Sequence, residues 1–190
     1  GAGNVCDDRI WCFDFAASRW EEGRCTAAAA GEGDGRKMPC ARYNSSFNIV
    51  PTTISTDSSS SSSSSNAHRA LLFGGRTSKE AILEDVWMLT KRKTEGLVFE
   101  WSQVSVSAEA SHFAIEAPTK RVCARDGHCA AMLGGKLYVF GGTNDDGDVY
   151  NTTSVDVLTL KENMDSQMPV ATWAEVPVLG EGPHYPVLGG

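Results

Sequence analysis

The hydrophobic pattern of the chain is that of short strands that are apolar on both faces. Two such runs, at 70–73 and 136–140, each end in a glycine pair. In the second run, aliphatic side chains point to one face and aromatic side chains to the other. A sheet with one solvated face alternates apolar and polar residues instead. Both runs should therefore lie in sheets that are covered on both sides. No convincing amphipathic helix separates the strands, which argues against a parallel α/β sheet.

The same pattern predicts two four-stranded antiparallel sheets. The expected strands lie at 41–50, 69–73, 84–90 and 98–104 in the first sheet, and at 127–133, 136–140, 153–160 and 171–176 in the second. Nine side chains are expected to be buried: Leu72, Phe73, Val86, Trp101, Leu137, Val139, Phe140, Val157 and Trp173.

The order of elements along these two sheets repeats. Each copy has a strand introduced by Ala-Arg, then a strand ending in the glycine pair, a loop, an apolar strand and a strand carrying a tryptophan. The second glycine of the pair stands at 75 in one copy and at 142 in the other, 67 residues apart. Repeats of up to about 50 residues are typical of β-rich repeat architectures, and this one is lengthened by its loops. The N-terminal segment repeats only the back half, which ends at Trp20.

The repeat resembles the kelch repeat. The second copy carries the family's order most fully, as Arg125-Asp126-Gly127-His128, then Gly141-Gly142, then Trp173. The N-terminal run 13–20 is similar to the family's back half, with an Asp six residues before a Trp. The first copy departs from the pattern at 42–45, where Gly-His is missing, and at 91–93, where basic residues replace the aromatic-Asp corner.

The resemblance implies an all-β fold: a partial kelch β-propeller with the architecture of the central domain of galactose oxidase. We expect about two complete four-stranded antiparallel blades, with partial blades at both ends. Blades that pack face to face bury both faces of each sheet, as the strands require. The expected organisation is a back half-blade at 1–26, a linker at 27–38, blades at 39–110 and 111–183, and the start of a further blade at 184–190.

A run of eight serines, 58–65, lies within the Ser-rich stretch 52–66 of the first blade. After Ile54 the stretch has no apolar residue to bury, so it cannot offset the entropy of becoming ordered. We interpret it as a flexible insertion. Because the entropy of closing a loop depends weakly on its length, deletion of 58–65 should leave the melting temperature nearly unchanged.

The net charge of the chain argues against two classes of binding function. Seventeen basic and twenty-four acidic residues give a formal charge of −7. This balance argues against a main role in binding nucleic-acid phosphates or an anionic membrane. No run of about eighteen apolar residues occurs, so no membrane span is expected. The chain opens on Gly1 without a signal-peptide pattern. We interpret it as an internal piece of a longer protein, for which the cytoplasm is the favoured location.

No catalytic, metal or cofactor site is predicted. The six cysteines form no C-x-x-C pair, and no histidine pair has zinc spacing; buried, reduced thiols are expected. The loop 143–148 does not follow the EF-hand calcium pattern. Nucleophile-elbow, Walker and dinucleotide motifs do not occur.

Four residues are predicted to contact a protein partner. Arg76 and Asn144 follow the glycine pairs, and the resemblance implies that such loops form the rim of a binding face. Arg42 and Arg125 stand at the family's motif Arg, for which a structural hydrogen bond within the blade is the alternative. Eight further residues are assigned structural roles by the motif: Gly74, Gly75, Gly141, Gly142, Trp20, Trp101, Trp173 and His128.

The resemblance therefore favours a non-enzymatic protein-interaction module, whose propeller is completed by further blades. If the arginines converge on the partner, the partner should be acidic. Two other interpretations stay open: an enzyme bearing a propeller, of the galactose-oxidase or epimerase type, and a substrate adaptor of a ubiquitin ligase. The copper ligands of galactose oxidase cannot be placed in this sequence.

Overall fold

The computed structural model describes residues 9–28, 38–51, 68–92, 96–108, 124–150, 154–161 and 169–178. All regular secondary structure in these ranges is β-strand. The strands are β1 (Ile10–Asp14), β2 (Arg19–Ala27), β3 (Ser46–Val50), β4 (Arg69–Phe73), β5 (Val86–Lys91), β6 (Val98–Gln103), β7 (Ser105–Ala108), β8 (Cys129–Leu133), β9 (Lys136–Phe140), β10 (Ser154–Lys161) and β11 (Val170–Pro177). The all-β prediction is confirmed. None of the described segments is a helix long and apolar enough to cross a membrane.

The strands form two sheets, with the orders β1-β2-β6-β5-β4-β3 and β7-β11-β10-β9-β8. Within them, β3–β6 and β8–β11 are the two predicted sets of four strands, and each set runs antiparallel. The strand predicted at 41–50 begins only at 46, and the one predicted at 127–133 begins at 129. The residues just before each start instead form isolated bridges, Tyr43 with Arg76 and Asp126 with Thr143.

Each sheet is larger than the four strands that the sequence predicted. The second half of β2 pairs in parallel with β6, and β7 pairs in parallel with β11. The two pairings have the same register, since Ala27 lies opposite Trp101 as Ala108 lies opposite Trp173. Between β6 and β7, the buried Val104 donates its N–H to the Val86 carbonyl. At that point the chain leaves its own sheet and joins the next one.

The main core lies between the two sheets. Leu71 and Phe73 of β4 meet Leu137 and Val139 of β9, and all four are at most 1% exposed. The other members of this cluster are Val50, Val86, Met88, Val104, Leu158, Ala171 and Trp173. Face-to-face packing of two sheets, with the edge strands β3 and β8 adjacent, is the arrangement of neighbouring blades in a propeller.

A second core covers the opposite face of the six-stranded sheet. It contains Ala70, Leu72, Trp87, Leu89 and Trp101, with Ile10 of β1 packed against it. β4 is thus buried on both faces, as its sequence predicted. Burial is also confirmed for the predicted core residues, with one exception. Phe140 is 41% exposed because it lies on the face of β9 that points away from the main core.

Some predicted boundaries lie outside the described residues. These are the Ser-rich stretch 52–66, the final segment 184–190 and most of the linker 27–38. β7 belongs by pairing to the sheet of the second blade, although it falls within the predicted first blade at 39–110.

Candidate partner-binding surface

The first glycine pair allows the two blades to approach closely where its loop begins. Gly74 has φ +62°, and a Cβ built on it would lie 2.7 Å from the Arg125 carbonyl oxygen. Gly75 has φ +91°, and its Cβ would lie 2.6 Å from the Tyr43 carbonyl oxygen. Only glycine adopts this backbone without strain and leaves room for the neighbouring chain. The Gly75 N–H donates to the same Arg125 carbonyl at 2.9 Å, which ties the first blade to the second.

The loops after the glycine pairs form one joined surface. We call the residues 76–85 and 143–150 the rim. The Arg76 Nε donates to Asp126 Oδ2 at 2.8 Å, across the two blades, and its Nη1 donates to Glu80 Oε2 at 3.1 Å. The Ile82 N–H donates to Asp145 Oδ1 at 3.2 Å, also across the blades. The loops of the two blades therefore hold each other in a fixed relative position.

Arg76 lies in the loop after the first glycine pair, and its guanidinium is paired within the protein. Its side chain is 25% exposed, between Asp126 and Glu80. Burial lowers the pKa of Arg76, and the hydrogen bonds to Glu80 and Asp126 outweigh that effect, so the pKa is raised overall. The acidic partners of Arg76 were missed in the sequence, where Asp126 lies 50 residues from Arg76.

Asn144 organises its own turn. Its Oδ1 accepts hydrogen bonds from the N–H groups of Asp146 at 3.0 Å and Asp148 at 2.8 Å. Asn and Asp commonly build turns in this way. Asn144 is half-buried at the rim, so it shapes the loop that carries the exposed aspartates.

Arg42 and Arg125 lie inside the blades. Arg42, with its side chain 4% exposed, donates to Asp85 Oδ1 at 2.5 Å and Oδ2 at 3.0 Å, and to the Gly74 carbonyl at 3.2 Å. Arg125 repeats the arrangement in the second blade with Asp156 and the Gly141 carbonyl. The geometry is that of the alternative interpretation, a structural bond within the blade.

A further contact fixes Arg125. Its guanidinium lies 4.0 Å from the ring centroid of Tyr150, and the residue is only 1% exposed. The Tyr150 hydroxyl in turn donates to the Ala124 carbonyl at 2.9 Å. Neither motif arginine therefore offers a free guanidinium to a partner. The sequence signal for both ion pairs is an aspartate near the start of the third strand of each blade: Asp85 for Arg42 and Asp156 for Arg125.

His128 lies in the seam between the blades. It is 6% exposed; its Nε2 shares a hydrogen bond of 2.9 Å with the Ser46 hydroxyl of the first blade, and its ring lies 5.0 Å from that of Phe73. Burial is the main cause, and the Arg125 charge the second, of a pKa of His128 that is lowered from 6.5 to about 4. The imidazole is therefore neutral at physiological pH.

The three repeated tryptophans do not share one environment. Trp101 and Trp173 are buried, whereas Trp20 is 63% exposed. No hydrogen-bond partner for the Trp173 Nε1 occurs among the described residues. Of the four cysteines described, Cys40 and Cys129 are exposed and Cys12 and Cys25 are only partly buried, so the prediction of buried thiols is wrong for these four.

The exposed charges of the rim are mainly acidic. The rim has one exposed lysine, Lys79, and five exposed carboxylates. The carboxylates belong to Glu80, Glu84, Asp145, Asp146 and Asp148. The expectation of an acidic partner depended on three arginines converging on it, and these arginines are instead paired within the protein. Within the described ranges, no group of three or more His, Cys, Asp or Glu side chains is placed to hold a metal ion.

Comparison with known families finds a match in the second blade. Residues 124–163 match the family described as Kelch motif. This segment contains Arg125, His128, the second glycine pair, and strands β8, β9 and β10. A comparison with curated proteins found no match.

Proposed function

Since the chain is a kelch-repeat protein that folds as part of a propeller, we propose that it is a non-enzymatic interaction module that binds a protein partner at the rim. Kelch repeats generally mediate contacts between proteins. The observation that carries the proposal is the fixing of the first loop on the second blade: the Arg76–Asp126 ion pair ties it to the residues before β8, and the Ile82–Asp145 hydrogen bond ties it to the second loop. A surface that is held in place before binding loses little conformational entropy when the partner arrives.

The charge of the rim favours a partner with basic side chains. The carboxylates of Glu84, Asp146 and Asp148 are exposed, and the arginine at the rim is paired with Asp126 and Glu80. Complementary charge mainly raises the association rate and selects among partners. Binding should therefore weaken as salt is added, because exposed charges are screened over about 8–10 Å at physiological ionic strength.

The test is capture of partners by the full-length protein, followed by charge reversal at the rim. The variant Glu84→Lys/Asp146→Lys changes two exposed side chains and should leave folding intact while it reduces capture of a basic partner. The matched control Glu22→Lys reverses a carboxylate that is 50% exposed on β2, outside the rim. Equal capture by wild type and the rim variant would remove the rim from the site. Turnover of a substrate by the purified protein would overturn the non-enzymatic proposal.

A further inference from the structure

Glu80 holds a backbone conformation that is unusual for its residue type. It lies at the rim with φ +64°, in the left-handed region that glutamate adopts only at a cost in folding energy. The turn around it is fixed: the Glu80 N–H donates to the Thr77 carbonyl at 3.0 Å, and the Thr77 N–H donates to the Ala81 carbonyl at 3.0 Å. Glycine would occupy this position without strain, so the strain points to a role for the glutamate side chain.

The Glu80 carboxylate is held in place and is still open to solvent. Its Oε2 accepts a hydrogen bond from Arg76 Nη1 at 3.1 Å. The Tyr43 hydroxyl also donates to the carboxylate, at 3.1 Å from Oε1 and 3.2 Å from Oε2. The side chain is nevertheless 68% exposed. Since a carboxylate offers about four acceptor positions, it can accept further hydrogen bonds from a group that approaches from solvent.

The stability of the fold does not explain why glutamate stands at this position. Arg76 has a better shielded partner in Asp126, whose side chain is 10% exposed. An ion pair as exposed as that of Glu80 with Arg76 contributes little to stability, because water screens it and both side chains lose freedom. Two carboxylates thus share one guanidinium, and the group Arg76, Asp126 and Glu80 carries an excess negative charge.

We propose that Glu80 is a contact residue of the rim and binds an arginine or lysine side chain of a protein partner. This inference rests on the proposed function, which it narrows to one residue and one interaction. A guanidinium or ammonium group that reaches Glu80 neutralises the excess charge and adds charge-assisted hydrogen bonds. Because Arg76 and Tyr43 already orient the carboxylate, little side-chain freedom is lost on binding. The strained backbone is then a loss of stability that accompanies function.

Two substitutions separate the backbone strain from the charge. Glu80→Gly removes both, and Glu80→Gln removes the charge alone. In urea at pH 7, the unfolding midpoint of Glu80→Gly should be equal to or above that of wild type, because glycine adopts positive φ without strain. A midpoint clearly below that of wild type would overturn the proposal, since the side chain would then serve the fold. Ser18→Gly is the matched control, because Ser18 has φ +52° in the turn between β1 and β2, outside the rim.

Binding is measured with short peptides selected from a random library on the full-length wild-type protein. The selected peptides should carry arginine or lysine, and their affinity should fall when citrulline or acetyl-lysine replaces that residue. Glu80→Gly and Glu80→Gln should each weaken binding about 10-fold or more, the size expected when a charge-assisted hydrogen bond is lost. Ser18→Gly should bind like wild type. A selection that enriches no basic residue, or full binding by Glu80→Gln, would overturn the proposal.

The rim variant Glu84→Lys/Asp146→Lys distinguishes a failure of this inference from a failure of the proposed function. If that variant weakens peptide binding while both Glu80 variants bind like wild type, the rim is the site and Glu80 is not its contact residue. If none of these variants changes binding, the rim is not the site and both proposals fail. The inference is supported if Glu80→Gly keeps its stability and loses affinity for the basic peptides.

Discussion

The protonation of His128 should make the stability of the protein depend on pH. The imidazole is buried between the blades, shares a hydrogen bond with Ser46 and lies beside the Arg125 charge. Its pKa is about 4 in the folded protein, against 6.5 for the ordinary side chain. The unfolded chain therefore binds the proton more tightly than the folded chain. The stability that neutral His128 contributes is complete above pH 6.5 and is lost as the pH falls through 4.

The lowered pKa sets the size of the effect. One pKa unit corresponds to about 1.4 kcal/mol, so the shift of His128 from 6.5 to about 4 corresponds to about 3 kcal/mol in the free energy of unfolding. About 2 kcal/mol of this should already be lost at pH 5. That is a large fraction of the 5–15 kcal/mol typical of a domain.

The assay is urea unfolding of wild type and His128→Gln at several pH values between 7.5 and 4. Carboxylates titrate in both proteins, so the difference between them isolates the imidazole. The glutamine variant should lose less stability than wild type on acidification, by about 3 kcal/mol at the lowest pH. Parallel curves would show that His128 is not shielded in the folded protein, and would refute the placement of a neutral imidazole in the seam.

Three further predictions concern the packing, and each is tested by urea unfolding at pH 7. Arg125→Met should lower the free energy of unfolding by about 3–5 kcal/mol, because the buried Asp156 carboxylate loses the cation that it pairs with. The double variant Arg125→Met/Asp156→Leu should recover much of that loss. No recovery would contradict the ion-pair explanation. Gly134→Ala has open space around its Cβ and should cost only the strain of its positive φ, about 1–2 kcal/mol. Gly74→Ala should cost clearly more, because its Cβ also meets a carbonyl oxygen at 2.7 Å; equal losses would argue against the close blade contact. Trp101→Ala should cost about 3–5 kcal/mol, as large-to-small changes in a core do, and a loss below about 1 kcal/mol would place this side chain outside the core.

The strands of the two blades were predictable because their signal is local. Apolar residues on both faces of β4 predict burial on both faces, and the structure confirms it. The same reasoning was wrong at Phe140, because a sequence pattern reports what a side chain prefers and not whether a neighbour covers it. β7 was also missed. Its alternation of Ser and Val is compatible with any edge position, and its parallel partner β11 lies more than sixty residues further along the chain.

At the candidate site, the motif arginines also show what could be predicted from the sequence and what could not. Their identity and position were clear from the sequence, which left two interpretations open: a partner contact and a structural bond. The choice itself depended on Asp85 and Asp156, which lie 43 and 31 residues away and become neighbours only when the sheets form. The sequence by itself determined where strands, glycine turns and large core side chains occur, since these depend on the chemistry of a few adjacent residues. Only the tertiary structure decided which charges are neutralised and which aromatic faces stay exposed. Both depend on short-range contacts between groups that are distant along the chain, and neither local propensity nor composition encodes those distances.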